Sequence, residues 1–216
     1  MQNLGLSVVA LGQGIPFFHA GSDMLRSKSM DRDSYNSGDW FNKLDWSYET
    51  NNFGVGLPIA DKNQERWSTI GPLLGREDIT PGRDQIMSPV HHFRELLAIR
   101  KSTVLLRLRT ASDIQARVRF HNTGRDQVPG LIVMSVSDVV PEMRPIDPNY
   151  KRVVVILNGT PETQTVSGGE WKGVEMELHP VLLMSHDETV KQASYDVERA
   201  AFDVPPMTAA VFVEPE

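Results

Sequence analysis

Cysteine is absent from the 216 residues. That excludes a disulfide framework, thiolate metal sites and a cysteine nucleophile. It leaves the redox compartment open, because a cysteine-free chain is at home in any of them. No apolar run approaches the roughly 18 residues that cross a bilayer. Basic charge is short as well: 22 Lys and Arg stand against 28 Asp and Glu, a formal charge of −6. Without a basic stripe to displace counterions, nucleic acid is not the expected partner. What remains, 40% hydrophobic and 23% charged residues, is the make-up of a globular chain and not of a disordered one. The length suits one large domain or two small ones.

The opening residues, Met1 to Leu11, imitate the apolar core of a secretory signal, but no basic residue precedes them and the first charge is Asp23. A signal peptide is therefore a poor reading. Gly5, Leu6, Val8, Val9 and Leu11 make the segment apolar or small almost all round, with no N-cap before it. The expectation is a helix buried in something larger, in a chain that is part of a longer protein.

Composition changes near residue 103. Before it, six aromatics crowd between Tyr35 and Phe53, and three of the four Trp precede residue 70. After it, β-branched runs are cut by Gly, Pro and Asn. Residues 1–11 read as a helix ending at Gly12-Gln13-Gly14, and Ile15–Gly21 as a short buried strand with Pro16 at its start. Some sixty polar, aromatic and Gly-rich residues without sustained periodicity follow; a loop of that length in a compact domain is usually functional. Ser88 and Pro89 then open a helix to about residue 102, with Val90, Phe93, Leu96 and Leu97 as its apolar stripe. Arg100 and Lys101 suit its C-terminal end. The remainder reads as strands at 103–109, 115–121, 131–136, 152–157, 174–177, 181–184 and 209–213. Asn122-Thr123-Gly124, Asn158-Gly159 and Ser167-Gly168-Gly169 separate them as turns, which implies an antiparallel sandwich.

The chemistry concentrates in residues 21–42. Carboxylates, amides, Arg and aromatics gather there just after the apolar run, as a sugar site requires. Hydroxyls need paired acceptors and donors, and pyranose faces lie on flat aromatic rings. The bland alternative is a solvated loop held by Asx turns and ion pairs. Asp31 and Asp33, two residues apart, could span the roughly 5–9.5 Å that separates glycosidase carboxyls, although two close Asp in a loop are far more often caps or ligand holders. They lack the spaced donors and Gly of a calcium loop. His91 and His92 point about 100° apart on a helix and make a poor metal pair. His121, His179 and His186 are singletons. His19 differs, because it ends the apolar run just before the candidate site, where a barrel-strand residue commonly faces ligand. The phosphate-loop, nucleophile-elbow, zincin and dinucleotide patterns are all missing.

The run Gly14-Ile15-Pro16-Phe17-Phe18-His19-Ala20-Gly21-Ser22-Asp23, with Leu25-Arg26-Ser27-Lys28-Ser29 and Asp31-Arg32-Asp33-Ser34-Tyr35-Asn36-Ser37-Gly38-Asp39-Trp40-Phe41-Asn42, resembles the pullulanase-type α-1,6-glucosidases. These are the pullulanases and plant limit dextrinases of the α-amylase superfamily. The likeness continues through Leu44-Asp45-Trp46, Asn51-Asn52-Phe53-Gly54-Val55-Gly56-Leu57-Pro58 and Phe93–Lys101. It spans the whole chain, most specifically over its first hundred residues.

The resemblance implies an α/β portion followed by an all-β one. Residues 1–102 would be the C-terminal end of a catalytic (β/α)₈ barrel: helix 7, strand 8, a long loop and helix 8. Residues 103–216 would be an antiparallel β-sandwich. It implies a branched α-glucan as partner, whether pullulan, limit dextrin, or starch- or glycogen-derived. It also implies an absence, because the family's nucleophile Asp, acid Glu and second Asp follow the fourth, fifth and seventh barrel strands, and no position here matches them. No catalytic residue is assigned, the isolated chain is expected to be inactive, and no cofactor is assigned; calcium belongs, if anywhere, to the parent barrel. By the same likeness Asp31, Asp33, Tyr35 and Asn36 are sugar contacts, and His19, Asp23 and Arg26 shape the site. Two rivals stand beside this reading: a self-standing non-catalytic carbohydrate-binding or structural module, and an independent hydrolase using Asp31 and Asp33.

Overall fold

The computed structural model describes residues 1–216. In chain order its helices are α1 (Gln2–Leu11), α2 (Asp39–Asn42), α3 (Ala60–Asn63), α4 (Trp67–Leu74), α5 (Arg83–Ser102), α6 (Ala111–Arg117) and α7 (Pro180–Leu183). Its strands are β1 (Val118–Phe120), β2 (Leu131–Ser137), β3 (Tyr150–Asn158), β4 (Gln164–Ser167), β5 (Glu177–Leu178), β6 (Ser194–Asp196), β7 (Ala201–Val204) and β8 (Thr208–Pro215). The chain forms two compact units, one of Met1–Phe17 with His92–Glu216, the other of Phe18–His91.

The first unit is built on two antiparallel sheets, β1-β2-β3-β8-β5 and β4-β7-β6, which fit a β-sandwich. The runs Val-Val-Val-Ile-Leu in β3 and Ala-Ala-Val-Phe-Val in β8 are buried on both faces, and continuous apolar runs of this kind make central strands. They pair with Val155 opposite Val211 and Val154 opposite Phe212. One face of the pair meets the smaller sheet, where Phe202 of β7 lies 4.8 Å from Phe212 between ring centroids and 5.4 Å from Trp171. The other face receives α1, which packs on β3 and β8 through buried Leu6, Ala10 and Leu11.

Polar side chains complete this unit. Buried Arg100 donates to the carbonyls of Ala10 (2.7 Å), Gly12 (2.9 Å) and Gly14 (3.0 Å). It satisfies the end of α1 and the chain beyond it, where helical carbonyls lack partners. Arg117 and Asp138, each 2% exposed, form a buried ion pair. Arg117 also donates to the Arg144 carbonyl at 2.8 Å, and Asp138 Oδ2 accepts the amides of Ile146 and Asp147, both at 2.8 Å.

Several expected strands are something else. Residues 103–109 hold a 3-10 turn at Leu105–Arg107, because the Asp147 carboxylate takes the Val104 amide (2.7 Å) and the Thr103 hydroxyl in place of a ladder. Residues 115–117 finish α6, which Thr110 caps by accepting from the Asp113 amide; only Val118–Phe120 pairs. Residues 181–184 belong to α7 or follow it. His179 caps that helix and Pro180 sits in its first turn, the start signal that an apolar run of four conceals. The whole sheet β4-β7-β6 has no counterpart among the expected strands. The helix expected from Ser88 begins at Arg83, where Gln85 reaches back to the Gly82 amide at 3.1 Å, half of a capping box. Leu97, expected in the stripe, is exposed. Residues 15–19 join no ladder, and Ile15 and Phe17 are 96% and 89% exposed. An extended segment becomes a buried strand only against a neighbour, and no other stretch of this chain pairs with it.

The second unit, residues 18–91, has few regular elements. Met24, Ile86 and Val90 form a buried apolar cluster with Leu44, Tyr48 and Met87 against it, while Phe41 and Ile70 are also buried.

Candidate functional site

The seven residues singled out in sequence fall into two groups within the second unit. The first is a turn wound around one carboxylate. Asp31 Oδ1 accepts the Asp33 amide at 3.0 Å and the Asn63 side-chain amide at 2.9 Å, while Oδ2 accepts the Ser37 hydroxyl. Asp33 caps the 3-10 turn Ser34–Asn36 by accepting from the Tyr35 amide at 3.3 Å. The sequence folds this way because Asp and Ser side chains offer the backbone local partners in place of helix or sheet. The result projects Asp33, Tyr35 and Asn36 into solvent, with Tyr35 90% exposed.

Burial works to raise the Asp31 carboxyl, but the hydrogen bonds from Ser37, Asp33 and Asn63 and the Lys28 charge outweigh it and hold it below the ordinary range. Asp31 is thus kept as an anion. A glycosidase acid needs the opposite shift, so the geometry gives no support to a hydrolase built on Asp31 and Asp33. Lys28 is lowered, first by burial and then by Arg26, against the pull of Asp31.

His19, Asp23 and Arg26 form the second group, around the short turn Ser22–Met24. The His19 carbonyl accepts the Ser22 amide at 3.0 Å, and the His19 side chain is exposed. Arg26 folds over Gly21, where a Cβ would meet its side chain at 2.7 Å and the φ is +92°; glycine alone suits both demands. The guanidinium donates to the Ala20 carbonyl at 3.2 Å and to that of Asn42.

Asn42 joins the two groups, though nothing in its sequence setting singles it out. Its carbonyl takes Arg26, its Oδ1 takes Lys28, and its Nδ2 donates to the carbonyls of Ser34 (2.9 Å) and Gly38 (3.0 Å). Asn52 and Asn63 do similar work. Buried Asn52, at φ +70°, donates to the Trp40 and Phe41 carbonyls at 3.1 and 2.9 Å. Asn63 Oδ1 accepts the Arg32 amide at 3.0 Å. The signal for Asn52 is the Asn-Asn-Phe-Gly run, since Asn tolerates the left-handed region and mimics a backbone turn. Asp45 escapes sequence reasoning in the same way. Its carboxyl is lowered to about 2, by the Ser47 hydroxyl first and then by Thr50.

Trp40 stands half exposed beside this turn, edge-on to Phe41 at 4.5 Å between centroids. It rests on Gly56, where a Cβ would meet the indole at 2.9 Å. Chemically, the unit offers ordered hydrogen-bonding groups and exposed aromatic rings, a set suited to binding hydroxylated ligands and lacking any paired acid and base. No cluster of three or more His, Asp or Glu that could hold a metal ion is present.

Comparison with known proteins adds lineage to this geometry. The family model described as the C-terminal part of pullulanase-type α-1,6-glucosidases matches residues 48–215. The chain is similar to the chloroplastic pullulanase 1 of Arabidopsis thaliana, 51% identical over 99% of this chain and 22% of that protein. A pullulanase of Klebsiella pneumoniae is 35% identical over 100% of this chain and 20% of its own length. Among solved structures, PulA from Klebsiella oxytoca matches with a TM-score of 0.88 at 33% identity, over 100% of this chain and 20% of that one. The maltotriose complex of PulA from Klebsiella pneumoniae matches equally, with a TM-score of 0.88 and 33% identity, over 100% of this chain and 23% of that one. The chain spans about a fifth of the length of the relatives it matches.

Proposed function

The chain belongs to the pullulanase-type α-1,6-glucosidases, over their C-terminal part, and on that premise we propose that it supplies a substrate-contacting loop and a stabilising sandwich to a debranching glycoside hydrolase. The parent enzyme would cleave α-1,6 linkages in pullulan, limit dextrins or related starch- and glycogen-derived glucans. It would do so by a retaining, two-carboxylate mechanism through an oxocarbenium-like transition state. The observation that carries this reading is the match of nearly the whole chain, at 51% identity, to a fifth of a pullulanase. The likeness to a Klebsiella pullulanase that holds maltotriose supports the substrate class.

In this proposal residues 1–102 are the end of the catalytic barrel and residues 103–216 the sandwich domain. The extended, unpaired Ile15 and Phe17 support a barrel strand whose partners come from elsewhere in the parent. Asp31, held as an anion by its own turn, orders the loop, while Asp33, Tyr35 and Asn36 meet glucosyl hydroxyls and ring faces. His19, Asp23 and Arg26 shape the approach. The rival reading, a self-standing carbohydrate-binding or structural module, draws on the sandwich having a core of its own. Reducing-sugar release from pullulan separates the two. The isolated chain is expected to release none above buffer, and a full-length protein carrying the rest of the family's length is expected to release it readily. An inactive full-length protein would favour the module, and clear turnover by the isolated chain would overturn both.

A further inference from the structure

A groove of 510 Å³ opens in the second unit beside Arg26, within the size range of about 300–1,000 Å³ usual for small-ligand sites. Its polar lining includes Arg26, Ser27, Asp78 and Gln85, and its apolar lining includes Phe53 and Pro81. Most of the unit's polar groups are consumed by its own loops, but these are not fully spent. Arg26 Nη1 and Nη2 each donate to one carbonyl and so keep a second N–H apiece. Gln85 uses only Oε1, on the Gly82 amide, so its NH₂ donors remain. Asp78, 64% exposed on its side chain and paired with Arg76, keeps acceptor capacity on both oxygens.

We propose that this groove binds a neutral glucosyl unit of the α-glucan. The inference rests on the functional reading above and adds to it a contact set other than the Asp31 turn. A guanidinium and a carboxylate line the same groove, so neither an anion nor a cation is favoured, whereas a polyol uses both. Phe53 and Pro81 supply flat apolar surface for the face of a pyranose, and the polar residues ring it. The left-handed backbone of Leu25, φ 54°, belongs to the same wall. Strained residues of this kind persist only where the surroundings fix them, and they gather at ligand sites.

The test is hydrogen-exchange mass spectrometry of the full-length protein with and without maltotriose, paired with two variants. Gln85→Glu keeps the oxygen that holds Gly82 and removes the free amide donors; Asp78→Asn removes the acceptor charge. Maltotriose is expected to slow exchange in peptides covering 25–27, 51–53 and 78–85. Each variant is expected to weaken that protection by about 2- to 10-fold in midpoint concentration, the loss of one net hydrogen bond, with exchange elsewhere unchanged. Protection confined to 31–37, or groove protection indifferent to both variants, would overturn the groove while leaving the debranching reading intact. Failure of the full-length protein to cleave pullulan would instead sink that reading, and groove protection in such a protein would still support the site.

Discussion

The two units hold their shape by different means. In the sandwich unit the work is done by ladders and burial. β3 and β8 bury both faces, and cross-strand pairs such as Val155 with Val211 repeat one interaction along the sheet. In the loop unit it is done by side chains standing in for backbone, with Asn42, Asn52, Asn63 and Asp31 each satisfying two or more main-chain or polar groups. Five of the eight non-glycine residues with positive φ, Leu25, Ser29, Met30, Tyr48 and Asn52, lie in residues 18–91. That density, in about a third of the chain, marks a surface whose form is specified residue by residue. A ladder tolerates the loss of one member; a turn wound on one carboxylate does not.

The comparison breaks first at a place where the sandwich also relies on buried polar contacts. Asp138→Ala leaves buried Arg117 with only the longer ion pair to Asp113 at 3.4 Å, and removing one member of a buried pair costs about 3–5 kcal/mol. Denaturant unfolding of the sandwich should show that loss. A change below about 1 kcal/mol would mean that Asp113 and the Arg144 and Asp138 carbonyls suffice for Arg117.

Acid should sharpen the contrast, because the two units lose stability in different pH windows. His179 is lowered to about 4 by burial, and its geometry requires the neutral ring: Nδ1 accepts the Val181 amide and Nε2 meets the Ser102 hydroxyl at 3.0 Å. Its folded pKa lies below the ordinary 6.5, so its contribution is complete above that value and is lost as pH falls toward 4. This amounts to about 3 kcal/mol over that window. His92, lowered by burial, adds in the same sense. Asp31 in the loop unit is lowered from a carboxylate's value, so its contribution is also lost on acidification, but only below the ordinary carboxylate range. Unfolding monitored separately in the two units between about pH 7 and 4 should therefore show the sandwich softening first; equal loss in both would contradict this.

In the full-length protein, Asp31→Ala should reduce kcat/KM by up to about 100-fold while leaving measurable turnover, the size of effect that misplaced substrate-positioning groups produce. The route is conformational: the turn that presents Tyr35 and Asn36 unwinds. Asn63→Ala, which removes one of the donors to Asp31, should reproduce a milder form. Complete inactivation of a folded Asp31→Ala enzyme would make Asp31 a catalytic group. The smallest effect concerns cleavage by proteases at neutral pH. First cuts are expected within 18–91, with α1 retained on the sandwich through Arg100, and Arg100→Lys should release α1 earlier. N-terminal sequencing of the resistant fragment decides it.

What can be read from sequence follows the same division. β2, β3 and β8 are legible because uninterrupted β-branched runs have few other uses. Residues 103–109 and 181–184 mislead because a short apolar run fits strand and helix alike. The arbiters are an acceptor 43 residues away in Asp147 and a His-Pro start signal. The small sheet stays hidden because β4, β6 and β7 are three or four residues long and mixed in polarity. In the candidate site, the Asp31 turn is visible as composition. The residues that hold it are not, since nothing about Asn42 or Asn63 distinguishes a hub from an exposed amide until its neighbours are placed.

The seat of α1 carries a consequence for biosynthesis. The helix is made well before the surface it packs on, which consists of β3 and β8, and β8 is completed only at residue 215. At about 5–20 residues per second, roughly 10–40 s separate the emergence of the helix from that of its landing site. For that interval Leu6, Ala10 and Leu11 lack the completed strand pair they pack on, with only the end of α5 at hand through Arg100. The newborn chain is in this respect a client for whatever shelters apolar segments at the ribosome, and a slow codon late in the message would lengthen the wait.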